Sequence, residues 1–446
     1  MFTTRDHLRF AMVTTFYPPY HFGGDAQHVR LLAHALARRG HQVEVIHDVD
    51  AFRMLKPGVE PDPLPEPERV RIHSLSSRFG ALSCLATQQL GRPLVHGNSI
   101  QRILSQGFDV IHFHNITLVG GPGVLAYGDG IKLYTTHEHW LVCPSHILWR
   151  HGRELCTGRQ CLRCVLRHHR PPQLWRTTGM LQKQSEHVDA FCVPSRFSAA
   201  KHREFGFNRS MQILPLFLPD GSPASEDPPP PVGRVADRPF FLFVGRLEHI
   251  KGLQDVIPLF DDDSPADLWI AGSGNYESEL RQLAGNRRCV RFLGAQTQER
   301  LRELYRGALA VVLPSICYEV FPMVILEAFR EGTPVVARQL GPYPEIVAQS
   351  QGGFLFETRD DLAYALSLLA HDNDLRTKLG QAGRQAFQSN WHEAVFLKHY
   401  FALIQRIARQ RQLDHILDKI AQCDDTTVDV VDDEYQGEDH EHEPKH

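Results

Sequence analysis

The chain has 446 residues, 42% of them hydrophobic and 22% charged, a size and balance that fit a soluble protein of about two to three domains and exclude a fibrous or low-complexity chain. Its net charge of −4 exerts no global pull on nucleic acid or anionic membrane, so any such attraction must be local. No apolar run reaches membrane-spanning length and the start, MFTTRDHLRF, lacks a signal-peptide core, so a cytoplasmic protein is expected. Its nine cysteines should then be mostly reduced, and a tight cysteine cluster reads as a metal site before a disulfide framework.

In chain order, RFAMVTT (9–15) reads as a strand and YPPYHFGGDAQ as a turn-rich loop. A helix is expected over 26–39, stopping at Gly40, and HQVEVIH is the next strand. This unit lacks the G-x-G-x-x-G dinucleotide fingerprint. It does hold Gly23-Gly24, either a plain turn or a point where backbone comes close to a ligand at the carboxyl end of a parallel strand. Residues 56–68 are Pro-rich and read as an exposed excursion; VRIHSL is a strand and 82–105 helical. FDVIHFHN is a strand ending in His112, His114 and Asn115, which either face a cleft or are satisfied structural groups. IKLYTTHEHWLVCP runs from a strand into a loop bearing His137 and Glu138. A histidine there can donate a hydrogen bond to a ligand.

Next comes C-x12-C-x4-C-x2-C, formed by Cys143, Cys156, Cys161 and Cys164. Four thiolates in so short a segment suit tetrahedral zinc, so a structural zinc is the leading expectation, with free thiols or an iron–sulfur cluster as alternatives. Between Glu138 and Met180 stand seven Arg and two Glu, with Trp149 and Trp175 interleaved. That is either a solvated face or a basic, aromatic surface for an anionic partner, such as a lipid diphosphate or the headgroups around it. No nucleic-acid motif is present.

Residues 174–187 read as helical, VDAFCVPS as a strand leading to a helix capped near Ser195, and MQILPLFLP closes a first domain, 1–218, with the Cys-rich insert at 138–180. Residues 219–239, with prolines at 228–231, read as an extended linker. The second domain, 240–390, opens with FFLFVGRLEHIKG, a buried strand and a loop bearing Arg246 and Lys251. DLWIAGSGNYESEL and CVRFLGAQTQERL continue a series of βα units that make a doubly wound parallel domain. A long helix is expected over 391–411. The acidic tail 412–446 is poor in core formers and expected to be disordered, with His440, His442 and His446 solvated.

The chemistry concentrates in LAVVLPSICYEVFPMVILEAFREGTP, residues 309–334. It reads as a buried strand, a tight loop and a helix over 321–330 with Pro322 in its first turn. Amides of Phe321, Met323 and Val324 at the positive end of the helix dipole suit a phosphate. Glu319 in the loop and Glu327 on the helix flank can hold hydroxyls at the two ends of a polyhydroxylated ligand with a diphosphate in its middle. The plainer reading is a surface acid and a helix-face acid.

Glu319-x7-Glu327, with Phe321-Pro322 between them, resembles the E-x7-E motif of retaining glycosyltransferase family four. The resemblance implies an α/β GT-B fold: two Rossmann-like, doubly wound domains facing across a cleft, the C-terminal helix crossing back to the N-terminal domain. It implies that Glu319 contacts the donor sugar and Glu327 the ribose. Arg246 and Lys251, matching G-R-x4-K-G, would hold the donor phosphates, and backbone near Gly294 to Gln296 would meet the base. Gly23-Gly24 would approach the donor diphosphate and His137 the donor sugar; Glu138 departs from the Asp common in the family. The implied activity is transfer of a sugar from a nucleotide-diphosphate sugar to a hydroxyl of a lipid-linked or polysaccharide glycan, with no cofactor in catalysis, in the cytoplasm or at the inner face of the membrane. The alternatives are an inactive GT-B scaffold and a GT-B epimerase or phosphorylase. Joint retention of Gly23, Gly24, Arg246, Lys251, Glu319 and Glu327 argues against the scaffold, and the basic insert favours a large acceptor.

Overall fold

The computed structural model describes residues 7–220 and 238–422. Its strands in order are β1 (Arg9–Val13), β2 (Gln42–Asp48), β3 (Val70–Leu75), β4 (Val110–Phe113), β5 (Ile131–Thr135), β6 (Trp149–Arg150), β7 (Glu154–Leu155), β8 (Ala190–Val193) and β9 (Met211–Ile213) in the first half. The second half has β10 (Phe240–Val244), β11 (Asp267–Ala271), β12 (Val290–Gly294), β13 (Val311–Leu313), β14 (Val335–Arg338) and β15 (Gly353–Phe356). They form a seven-stranded sheet, β3-β2-β1-β4-β5-β8-β9, and a six-stranded sheet, β12-β11-β10-β13-β14-β15. All pairings in both are parallel, while β6 and β7 make a separate antiparallel hairpin.

Both faces of each sheet are covered, which is why the strands read as continuous apolar runs. Phe10 and Met12 of β1 enter one core, Ala11 and Val13 the core on the opposite face. In β10, Phe240 and Leu242 face one core, Phe241 and Phe243 the other. The helix Glu393–Gln410 returns from the second half and buries Phe396, Leu397, Tyr400, Phe401, Ile404 and Ile407 in the core that holds Phe10. Each such side chain contributes about 1.5–3 kcal/mol, enough in sum to fix the crossing. Polar contacts set its register: Tyr400 Oη lies 3.0 Å from His112 Nδ1, and Arg411 pairs with Asp189 at 2.9 Å.

Several expected elements differ. Residues 82–105 form two helices, Ala81–Leu90 and Gly97–Leu104, because Gly91 ends the first in a left-handed conformation (φ +66°) and Pro93 follows. Residues 174–187 split into a 3₁₀ turn, Leu174–Thr177, and a helix, Met180–Ser185, at left-handed Gly179. The crossing helix begins at Glu393, after a π turn over Phe387–Trp391. The expected tail is wrong at its start, since Asp414–Ala421 is a helix that buries Ile416 and Ile420 in the first core and lets Lys419 pair with Asp109 at 2.9 Å. The rest of the tail, with His440, His442 and His446, and most of the linker lie outside the described residues. Among the described residues no helix is long and apolar enough to cross a membrane.

Candidate functional site

In the second sheet the order reverses between β10 and β13, a switch point at which the loops after the two strands diverge and leave a crevice. The loop after β10 carries Arg246 and Lys251; the loop after β13 carries Glu319. Gly252 lets the two loops touch: at φ +77°, a Cβ there would lie 1.9 Å from the Pro314 carbonyl oxygen. Across that contact Lys251 Nζ donates to Glu319 Oε1 at 2.6 Å, and Ser315 Oγ donates to the same oxygen at 2.8 Å. Burial alone would raise the Glu319 carboxyl, but the Lys251 ammonium, the two hydrogen bonds and Arg246 outweigh it and hold it below the ordinary carboxylate range. Arg246 reaches outward, 59% exposed, and pairs with Glu248 at 2.8 Å. The site therefore holds an ionised carboxylate against the Lys251 ammonium.

The helix that follows is Met323–Arg330, with Pro322 as its N-cap in extended backbone. This corrects the expected start. Phe321 stands before the cap with its ring buried in the second domain's core, so its amide is not part of the first turn. Met323 and Val324 are the first two helical residues, whose amides have no carbonyl one turn earlier to bond. One turn further, Glu327 accepts a hydrogen bond from Tyr305 Oη at 2.5 Å. Burial raises the Glu327 carboxyl, and the Tyr305 hydroxyl and Arg330 only partly offset it. The two glutamates thus differ: Glu319 is ion-paired, and Glu327 has no ion pair among the described residues.

The first domain closes the other side. Its helix Gly24–Arg38 is preceded by Gly23 in extended backbone, and a Cβ on Gly24 would meet Met323 Cγ at 3.4 Å. The Gly23-Gly24 loop therefore abuts the mouth of the Met323–Arg330 helix. His137 follows β5, its Nε2 3.0 Å from His114 Nδ1, while its Nδ1 has no hydrogen-bond partner among the described residues. Burial keeps His137 below the ordinary histidine value, against the pull of Asp25 and Glu138, so it is neutral at neutral pH. His112 is satisfied by Tyr400 and by Thr135 at 2.8 Å, the structural alternative. Glu138 turns away to His146 at 2.7 Å.

Contacts that sequence reasoning missed join the halves. Glu345 accepts from the amides of Arg196 and Phe197 at 3.0 and 3.1 Å, at the start of the helix Arg196–Glu204. Ser195 Oγ donates to the Val320 carbonyl at 3.2 Å, and the Tyr318 ring, one residue before Glu319, packs against Phe197 and under Lys201.

Cys143, Cys156, Cys161 and Cys164 line one cavity of about 20 Å³, room for a single ion or water. None is in a disulfide, and no three of their sulfurs stand within 4.8 Å of one another. The sequence gathers them into one chamber but not to ligating distance. Cys143 also packs with Leu148 and Phe205 against Tyr318, so the insert touches the Glu319 loop. The expected aromatic surface is a correction: Trp149 and Trp175 are 5% exposed and serve as core. Arg176 stacks over Trp140 and Trp175 and donates to the carbonyls of Trp140 and Leu141, Arg170 donates to Ser145 and Arg159 to Phe205. The other four arginines of the segment face a solvent cavity.

Two family models match. Residues 22–218 match the model described as glycosyltransferase family 4 and residues 226–386 the one described as glycosyl transferases group 1. An uncharacterized glycosyltransferase of Methanocaldococcus jannaschii is 27% identical over 385 residues, 82% of this chain and 90% of that one. Sucrose-phosphate synthase from Thermosynechococcus elongatus superposes with a TM-score of 0.67 at 21% identity, over 90% of this chain and all (100%) of that one. The Anabaena protein HepE, solved with UDP and glucose, superposes with a TM-score of 0.61 at 17% identity, over 91% of this chain and 100% of that one. The matched models take in every strand from β2 to β15 and the crevice at the second sheet's switch point, the superpositions have the same two-domain GT-B fold, and the chain belongs to the family-four glycosyltransferases.

Proposed function

We propose that this glycosyltransferase moves a sugar from a nucleotide-diphosphate sugar to a hydroxyl of a lipid-linked or polysaccharide glycan, with retention of anomeric configuration. The observation that carries the reading is the Lys251–Glu319–Ser315 cluster at the sheet's switch point, on the loop that leads directly into the helix whose first amides are those of Met323 and Val324. A nucleoside diphosphate leaves with growing negative charge, and Lys251, Arg246 and the two amides are the groups that would receive it. UDP in the HepE structure supports a nucleotide donor of this kind.

In the reaction the bond from the anomeric carbon to the phosphate oxygen breaks, and the acceptor oxygen bonds to the same face of that carbon. The acceptor's proton passes to the departing phosphate oxygen, so no carboxylate nucleophile is required. Glu319 holds the donor sugar's hydroxyls while positive character builds at the anomeric carbon. Glu327, kept in place by Tyr305, takes the ribose hydroxyls. Gly23-Gly24 lets the first domain's backbone come against the diphosphate, and neutral His137 presents Nδ1 to the sugar. No metal or cofactor enters these steps.

The four cysteines are proposed to hold one structural zinc, which would draw the sulfurs together and staple the insert. The sulfur-lined chamber supports this reading. The test of the transferase reading is a thermal-shift titration with nucleoside diphosphates and their sugars, followed by NMR of the product's anomeric proton. A concentration-dependent shift with one base, and a product of the donor's anomeric configuration, is expected. No shift with any nucleotide would overturn the donor site, and an inverted product the mechanism.

A further inference from the structure

The insert presents a cavity of about 640 Å³ lined by Arg150, Arg153, Arg163 and Arg167, with His151 and Gln160, and by one acid, Glu154. Arg150 pairs with Glu154 at 2.8 Å. Arg153, Arg163 and Arg167 have no ion pair among the described residues. Their neighbours Arg170 and Arg176 are spent on backbone carbonyls inside the insert and Arg159 on the carbonyl of Phe205 outside it, so these three are left over from folding. Gathering uncompensated guanidinium groups in one concavity is unfavourable by mutual repulsion, and on a chain of net charge −4 it is not a by-product of a basic composition. An anion bound among them removes that cost, and planar guanidinium forks match phosphate oxygens two at a time.

The same helix, Cys161–Arg167, carries Arg163 and Arg167 one turn apart and, beside them, Leu162 and Leu166, which are 62% and 57% exposed. Leu174, just beyond, is also exposed. A cationic cavity edged by bare leucines suits a ligand with a phosphate head and an apolar tail. The insert that bears this cavity packs Cys143 and Leu148 against Tyr318, next to Glu319, so it adjoins the proposed donor site.

We infer that the Arg150–Arg153–Arg163–Arg167 cavity is the site where the acceptor is captured by its phosphate or diphosphate group. The inference rests on the transferase reading above and names the chemistry of its acceptor.

The test uses the full chain and the variants Arg163→Gln/Arg167→Gln and Arg153→Gln, all exposed positions where melting should be unchanged. Sedimentation with phosphatidylcholine vesicles, with and without a polyprenyl diphosphate, is read beside calorimetric titration of free pyrophosphate. Wild type should bind the diphosphate-bearing vesicles about tenfold or more tighter than plain ones, pyrophosphate should compete, and the double variant should fall to the plain-vesicle level. Much tighter binding from vesicles than from solution identifies a lipid-linked source, and equal binding a soluble one. Binding that is indifferent to the arginines, that is matched by phosphatidylglycerol vesicles and not competed by pyrophosphate, or that is seen only with RNA overturns the inference. The nucleotide thermal shift is recorded on the same samples. If it persists while diphosphate binding is absent, the inference alone fails; if it is absent throughout, the transferase reading fails with it.

Discussion

The Glu319 loop and the cysteine insert touch through Tyr318, yet they are stabilised in different ways. The loop hangs from the centre of a six-stranded parallel sheet, is pressed against the β10 loop at Gly252, and has its carboxylate fixed by Lys251 and Ser315. The insert has one hairpin of two-residue strands, a short helix and two 3₁₀ turns. Its ends anchor Trp140, Leu141 and Trp175 in the first domain's core, while the cysteine-bearing middle packs through Cys143 and Leu148 against Phe205 and Tyr318. A site that must stabilise charge gains from preorganised surroundings. A platform for a bulky acceptor can be small, provided something staples it, and four cysteines are the obvious candidates.

That contrast can be broken by substitution, starting with the largest expected effect. Gly252→Ala forces a left-handed alanine into the Pro314 carbonyl and should cost about 3 kcal/mol of stability together with loss of donor binding, measured by thermal melting with and without nucleotide. Cys161→Ser/Cys164→Ser should abolish a metal content of about one per chain in elemental analysis while leaving the nucleotide thermal shift intact. Stoichiometric iron and sulfide in the wild type would replace zinc with a cluster. Tyr305→Phe leaves the buried Glu327 without its donor and should cost about 1–3 kcal/mol, with weaker nucleotide binding and an intact insert.

The smallest effect is in pH dependence, where the two glutamates should act with opposite sign. Glu319 has a folded pKa below its unfolded value of roughly 4.3, so its contribution is present above that value and lost as acid drives pH through the folded pKa. Glu327 has a raised folded pKa, so the folded chain holds that proton more tightly and stability is lost as pH rises from the ordinary carboxylate value through the folded one. Glu319→Gln should flatten the acid limb of the stability curve and Glu327→Gln should raise stability on its neutral side, both read from urea melts across pH.

The two sheets were legible because parallel strands buried on both faces are written as uninterrupted apolar runs, as in FFLFV and AVVLP. Lys251 and Glu319 were legible as members of spaced motifs, but their direct pairing was not, since 68 residues separate them. Tyr305 and Glu327 meet across two helices, and His114 and His137 across two strands, so local pattern carries no trace of either pair. The tail helix did leave a signal: Leu413, Ile416, Leu417 and Ile420 recur at helical spacing. It was masked by the acidic composition that follows. Trp149 and Trp175 show the reverse error, because interleaving aromatics with arginines describes a cation-stacked core as well as a surface.

The most direct test of the donor site is Glu319→Gln, with transfer and nucleotide diphosphate binding measured on the same sample. The glutamine keeps the side chain's shape and its contact with Ser315 but removes the charge opposite Lys251. Transfer should fall by about a thousandfold or more while diphosphate affinity stays within a few-fold of wild type. Transfer at the wild-type rate would show that the Lys251–Glu319 cluster is a structural ion pair and that the sugar is held elsewhere.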